Sequence, residues 1–393
     1  MRKRIVLAGA CRTAIGAMGG SLSNVSAVEL GSIVIKEAVK RAGITEDDVE
    51  HVYMGNVIQA GQGQNVARQA AVKAGIPYRV PAVTINVVCG SGLNSVNMAA
   101  QMIRSGEADI VIAGGMENMS RAPYYLENAR AGYRLGDGKL KDSLVGDALW
   151  DAFHDYHMGI TAENVAERWN ISREELDQFA YGSQVKATAA IKGNVFEDEI
   201  VPVEIKTRKA AYQFKEDESP RPDASYEKMS KLRPAFKADG IVTAANSSTI
   251  NDGAAAVVVM SEEKAKELNV TPMAVWLGGD LAGVDPEIMG IGPVAATRKT
   301  LEKLNLTIDD IDLVEANEAF AAQSIAVQRD LAIPAEKLNI HGGAISLGHP
   351  VGASGARILV TLLHELKRSN RRLGLATLCI GGGMGCSAIV ESI

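Results

Sequence analysis

The feature that most constrains this chain is that it repeats itself. Thr45-Glu46-Asp47-Asp48-Val49-Glu50-His51-Val52 returns 262 residues later as Thr307-Ile308-Asp309-Asp310-Ile311-Asp312-Leu313-Val314. Upstream, the amphipathic helical pattern from Leu30 to Ala42 is matched at the same offset from Gly292 to Leu304; downstream, Gly90-Ser91-Gly92 falls on Gly352-Ala353-Ser354. Further on, Ile110 to Met116 resembles Leu375 to Met384. That pairing aligns Met116 with Met384 at an offset of 268 and places six extra residues in a loop around Lys367 to Arg372. Each half reads strand, helix, strand, glycine turn, helix, strand, which predicts an α/β fold of two layered halves related by a pseudo-twofold. Equivalent glycine turns then meet near the shared axis, which would bring Cys89 towards His349 and Cys379.

Residues 120–249 have no counterpart in the second half. The chain therefore divides into an N-terminal half (1–119 and 250–270), an insertion (120–249) and a C-terminal half (271–393). Within the insertion, Lys206 to Lys228 is rich in charge and proline, with Lys206, Arg208, Lys209, Lys215, Arg221 and Lys228, and reads as surface loop. Net charge is −6, which excludes a nucleic-acid binder relying on overall basicity. No stretch approaches about 18 apolar residues without a charge, so no membrane span is expected. Met1-Arg2-Lys3-Arg4 leads into an apolar run too short for a signal peptide, and Ile5 to Cys11 reads as a buried first strand; a soluble cytoplasmic protein is expected. Cysteines at 11, 89, 379 and 386 lack zinc-site spacing, so free thiols are expected. His154 and His157 alone make a poor zinc site, and no metal is expected.

Three reactive side chains lie on glycine-flanked turns. Cys89 follows a short apolar strand and opens a helix, where unpaired N–H groups favour the thiolate. His349, in Gly348-His349-Pro350, precedes the next helix and is a candidate base for the Cys89 proton. Cys379 ends a strand before Gly381-Gly382-Gly383, whose N–H groups could form an oxyanion hole. Neither a phosphate loop nor a dinucleotide fingerprint fits these glycines. His341 and His364 read as structural hydrogen-bonders.

Together these segments resemble the thiolase family. The Cys89 segment, Asn339 to Gly355, Gly374 to Gly385 and Asn317-Glu318-Ala319-Phe320-Ala321 carry the resemblance, which spans nearly the whole chain. It implies a layered αβαβα core with an inserted loop domain, and within the family it points to the biosynthetic branch that joins two acetyl-CoA molecules into acetoacetyl-CoA and coenzyme A. By that resemblance Cys89 carries the acetyl group, His349 accepts its proton, and Cys379 removes the methyl proton of the second acetyl-CoA. His349 and a water held by Asn317 then stabilise the enolate, and the N–H groups of Cys89 and Gly381 stabilise the tetrahedral intermediate. For coenzyme A the resemblance points to His157 and Met158 near the thioester, Arg221 near the adenine, and Leu232, Phe236, Ala244 and Ser248 along the pantetheine; Met289, Ala319 and Phe320 complete the wall. Around Ser248 the sequence departs from the commoner pattern, with Ser247 for alanine and Thr249 for glycine. No tightly bound cofactor is implied, and the family is built of homodimers and often tetramers, with Arg121 to Leu140 a plausible contact. Rival readings are a longer-chain 3-ketoacyl-CoA thiolase, a β-ketoacyl synthase, which would use two histidines where this chain has Cys379, and a non-catalytic acyl or lipid carrier.

Overall fold

The computed structural model describes residues 3–207 and 210–393. Met1, Arg2, Arg208 and Lys209 lie outside them. In chain order the main elements are β1 (Ile5–Thr13), α1 (Ala27–Ala42), β2 (His51–Gly55), α2 (Val66–Lys73), β3 (Ala82–Ile85), α3 (Ser91–Ser105) and β4 (Ile110–Asn118). After helices α4 (Met158–Arg168) and α5 (Arg173–Lys192) come β5 (Asn251–Ser261), β6 (Ala274–Gly283), α6 (Gly292–Leu304), β7 (Leu313–Ala316), α7 (Ala321–Leu331), α8 (Val351–Ser369), β8 (Leu373–Ile380) and β9 (Met384–Ser392).

The strands run in the order β7-β8-β9-β6-β1-β5-β4-β2-β3. Reading outwards from the centre, β1, β5, β4 and β2 have the same sense relations as β6, β9, β8 and β7: two antiparallel steps, then a parallel one. The two half-sheets join where Ile5, Val6 and Leu7 pair antiparallel with Trp276, Val275 and Ala274. Strand β5 thus completes the N-terminal half-sheet from a position beyond the insertion.

Helices α3 and α8 fill the space between the half-sheets, while α1 and α2 cover one outer face and α6 and α7 the other. A helix in the middle layer has no solvent face, so it must be small or apolar all round. In α8 every residue from Val351 to Leu363 is buried, Arg357 among them. By contrast α1 is amphipathic: Leu30, Val34, Ile35 and Ala38 face the sheet, Ser26 and Glu29 form a capping box, and Gly43 closes the helix at φ 72°. The Thr45 and Thr307 echoes fold alike, each threonine N–H donating to the aspartate three residues on, the last of a short 3₁₀ turn, Asp48 at 2.8 Å and Asp310 at 2.7 Å.

The register corrects the repeat in two places. His51 lies opposite Val111, and Leu313 opposite Gly374, so the offset grows from 262 to 263 between these strands rather than to 268. Met116 and Met384 are therefore not equivalent: Gly114-Gly115-Met116 runs inside β4, whereas Gly381-Gly382-Gly383 is a turn. Apolar strand ends followed by glycine look alike in sequence whether or not the chain turns there. In the helices the equivalence is Gly92 with Gly355, not with Ser354. A Cβ on Gly92 would lie 2.7 Å from the Ala356 nitrogen, and a Cβ on Gly355 would lie 2.4 Å from the Leu93 nitrogen. Exchanging the halves by 263 residues turns one contact into the other.

Candidate active site

Cys89 precedes α3 on a strained turn. Val88, a β-branched residue, adopts φ 47°, a conformation that persists only where its surroundings impose it. Asn86 accepts the Val88 N–H at 2.9 Å, and the Ser91 hydroxyl accepts from Val87 N–H at 3.0 Å while donating to the Val88 carbonyl at 2.6 Å. Gly90 lets this turn press on β8, because a Cβ there would meet Ile380 at 2.4 Å. Burial pushes the Cys89 thiol up to about 11, although the N–H groups of Gly381 and of Cys89 itself point at the sulfur and pull the other way. The N–H groups at the helix start pull towards thiolate as expected, burial pulls harder the other way, and the thiol therefore needs a base to take its proton.

A candidate base is within reach. His349 Nε2 lies 3.3 Å from Cys89 Sγ, and Nδ1 lies 2.6 Å from the Ser354 hydroxyl. With the Ser354 proton on the Pro350 carbonyl at 2.9 Å, the hydroxyl is free to accept from Nδ1–H in the tautomer a base at Nε2 requires. Nε2 is left with its lone pair facing the thiol. Burial, aided by the positive charge of Arg357, pushes His349 down to about 3. A neutral thiol against a neutral imidazole is the resting arrangement.

Asn317, 1 % exposed, lies beside the same ring with Nδ2 3.4 Å from Nδ1, and its Oδ1 has no protein partner. Cys379 is wholly buried near the end of β8, its thiol pushed far up by burial and then by the neighbouring Cys89. Cys89, His349, Cys379 and Gly381 all open on one cavity of about 580 Å³.

The same cavity is lined by His157, Met158, Arg221, Phe236, Ala244, Ser248, Met289, Ala319 and Phe320. His157 caps α4, Nδ1 accepting from Gly159 N–H at 3.0 Å, and its ring stacks on Phe236 at 4.7 Å; Phe236 in turn meets Phe320 edge-on at 6.1 Å. Ser248 N–H donates to the Ala319 carbonyl and Ala321 N–H to that of Asn246, both at 2.9 Å, so the departing Ser247–Thr249 segment still joins two cavity walls. Leu232 is set apart. It is 43 % exposed and lines an adjoining cavity of about 350 Å³ that shares Arg221, Ala244, Ser219 and Thr249 with the first. Among the described residues no group of three or more His, Cys, Asp or Glu is placed to hold a metal, and His154 faces Asp151 at 3.1 Å and Glu287 at 3.4 Å.

Residues 5–263 match Thiolase, N-terminal domain, and residues 270–392 match Thiolase, C-terminal domain. The chain belongs to the thiolase family. This thiolase is 57% identical to the acetyl-CoA acetyltransferase of Syntrophomonas wolfei, with 100% of each chain covered, and 56% identical to that of Cupriavidus necator, covering 98% of this chain and 99% of the relative. Its fold superposes on the crystal structure of the Bacillus anthracis acetyl-CoA acetyltransferase with a TM-score of 0.98 at 46% identity, and on human mitochondrial 3-ketoacyl-CoA thiolase with 0.97 at 44%; each comparison covers 100% of this chain and 99% of the other. The expected layered fold of two duplicated halves is the thiolase fold.

Sequence reasoning missed Ser354, Asn251 and Val88. Ser354 carried a signal: a serine four residues after Pro350, in the first turn of a helix, is placed to bond back to that carbonyl and so stand beside the histidine before it. Val88 carried none, because nothing in a valine announces a positive φ.

Proposed function

We infer that this thiolase is an acetyl-CoA C-acetyltransferase, condensing two acetyl-CoA reversibly to acetoacetyl-CoA and coenzyme A by a ping-pong route through acetyl-Cys89. The observation that carries the reading is the 3.3 Å approach of His349 Nε2 to Cys89 Sγ on a cavity that also holds Cys379. In the first half-reaction Sγ attacks the thioester carbon as its proton passes to Nε2. The oxyanion forms where the Cys89 and Gly381 N–H groups already point at the sulfur's surroundings. The bond to the coenzyme A sulfur breaks, and the departing thiolate takes the Cys379 proton.

That step leaves an imidazolium and a Cys379 thiolate facing the second acetyl-CoA. Cys379 removes its α-proton, the enolate oxygen is held by Nε2–H and a water on Asn317, and the carbanion attacks the Cys89 carbonyl. Collapse releases Cys89, which recovers a proton, and acetoacetyl-CoA. Coenzyme A lies along the wall from His157 and Met158 past Phe236, Ala244 and Ser248 towards Leu232 and Arg221, residues that belong mostly to segment 120–249. The thioesters are substrates and products; no tightly bound cofactor enters the scheme.

We place the enzyme in the cytoplasm as a homotetramer. Four free cysteines fit a reducing compartment, and no helix among the described residues is long and apolar enough to cross a membrane. Tyr124, Leu126, Leu135 and Leu140 stand exposed on one segment, apolar side chains in search of a partner surface. Acetyl-CoA followed by digestion should label the Cys89 peptide. In Cys379→Ser the label should still appear while condensation falls by about 10³-fold or more; absence of label on Cys89 in the wild type overturns the reading. Rates on acetoacetyl-CoA against longer 3-ketoacyl-CoA esters decide the chain-length alternative.

A further inference from the structure

Asn251, the first residue of β5, is fully buried and uses every hydrogen-bonding capacity of its carboxamide. Oδ1 accepts from His349 N–H at 3.0 Å and from the Thr249 hydroxyl at 2.7 Å; Nδ2 donates to the Gly16 carbonyl at 3.0 Å and to Ser219 Oγ at 2.8 Å. Its orientation follows from chemistry. A backbone N–H can only donate and a carbonyl can only accept, so Oδ1 must face His349 and Nδ2 must face Gly16. Thr249 then has one proton and two neighbours, Asn251 Oδ1 at 2.7 Å and Ser219 Oγ at 3.5 Å, and the short contact takes it.

Three distant segments, around Gly16, Ser219 and His349, meet on this one side chain. Gly348 is shaped by it: at φ 112°, a Cβ there would lie 2.5 Å from Asn251 Cγ, so the backbone before His349 rests directly on the carboxamide. Ser354 holds the imidazole by Nδ1, but nothing in that bond sets the height of the His349 main chain. Asn251 does. Thr249 and Ser219, the two side chains that complete the clamp, are themselves walls of the 580 Å³ cavity.

We propose that Asn251 is a positioning residue for His349, and that Thr249 couples this clamp to the cavity wall, so that the wall's placement and the approach of Nε2 to Cys89 are set together. The proposal rests on the acetyltransferase reading only for its substrate, and its test carries a second readout that does not. Three variants are measured: Asn251→Ala, Thr249→Val, which keeps the shape without the hydroxyl, and Thr249→Ser, which restores it. The rate of Cys89 acetylation by acetyl-CoA is taken by rapid quench, and the rate of Cys89 alkylation by iodoacetamide is followed against pH.

Asn251→Ala should slow acetylation by about 10²-fold, the effect of misplacing a reacting group by about an ångström. Thr249→Val should slow it about three- to tenfold, the equivalent of one buried hydrogen bond. KM for acetyl-CoA should stay within about twofold in both, since the loss lies in the transition state. Alkylation, in which the thiol proton passes to the same Nε2, should slow in step below the thiol's own titration range, and Thr249→Ser should recover wild-type behaviour. A Thr249→Val enzyme that changes only KM, or a Thr249→Ser enzyme no better than the valine variant, overturns the coupling; a folded Asn251→Ala enzyme with wild-type rates overturns the clamp. If Asn251→Ala does not fold, the Thr249 pair decides. A wild type that alkylates with the expected dependence on these variants but is never acetylated refutes the substrate reading and leaves the clamp standing.

Discussion

Replacing Gly92 by alanine should force apart the two helices that carry the reacting side chains. The new Cβ would lie 2.7 Å from the Ala356 nitrogen and 3.1 Å from the Gly352 carbonyl oxygen, both rigid backbone in the middle layer. Reaching an ordinary contact of 3.4 Å needs a displacement of about 0.7 Å, which a close-packed interior resists. Overpacking of this kind costs about 1–3 kcal/mol. Cys89 precedes α3 and His349 precedes α8, so the same displacement opens the 3.3 Å contact between Sγ and Nε2 towards about 4 Å. Misplacement of about 1 Å can cost 10²-fold; thiolysis of acetoacetyl-CoA should therefore lose about 10–10² in kcat/KM, with Tm lower by a few degrees. Gly355→Ala, facing the Leu93 nitrogen at 2.4 Å, should behave alike. The double variant should lose less than the sum, because both side chains widen one gap. A Gly92→Ala enzyme with wild-type kcat/KM and Tm would refute the claim that this helix contact sets the reacting distance.

Ser354→Ala removes the acceptor that keeps the proton on Nδ1, leaving a buried N–H unpaired at about 1–3 kcal/mol. The tautomer with Nε2–H gains, and acylation should slow by about 10–10² with KM little changed; equal rates in wild type and variant would sink the tautomer argument. His349 also makes the fold acid-sensitive. Its pKa falls from 6.5 unfolded to about 3 folded, so the unfolded chain binds the extra proton between those values, and stability is present above pH 6.5 and lost as pH falls towards 3. The slope approaches about 1.4 kcal/mol per pH unit in that window. Urea titrations at pH 6.5 and 5 should show His349→Gln losing about 1–2 kcal/mol less than wild type, and an identical loss in both would remove His349 as the cause.

What the sequence made visible was whatever duplication and glycine mark. Thr45 and Thr307 announce the same cap, and α1 and α6 the same apolar stripe, because local propensity and packing agree there. Cys89, His349, Cys379 and Gly381 could be picked out because each lies within a few residues of a glycine that close approach demands, Gly90, Gly348 or Gly383. The false equivalence of Met116 and Met384 has the opposite origin: an apolar run ending in glycine has the same composition whether the glycines continue a strand or break it. Asn251 and Ser354 were hidden because their roles depend on partners 98 and five residues away, and nothing in an asparagine at a strand start tells which donors will reach it. Leu232 lines the adjoining cavity rather than the one beside Cys89, a division between two connected spaces that no motif marks.

The ionisation state of the site follows from where the fold puts it. Two helix starts meeting between half-sheets would, on their own, favour a thiolate. Bringing them that close requires glycine contacts inside the middle layer, and burial there raises both thiols while lowering the imidazole. The geometry that aligns nucleophile and base is thus also what keeps them neutral. On the proposed mechanism charge develops as the thioester is attacked, where the N–H groups of Cys89 and Gly381 would have an oxyanion to hold. On that mechanism, a site built this way keeps both cysteines of one cavity protonated until a substrate is bound.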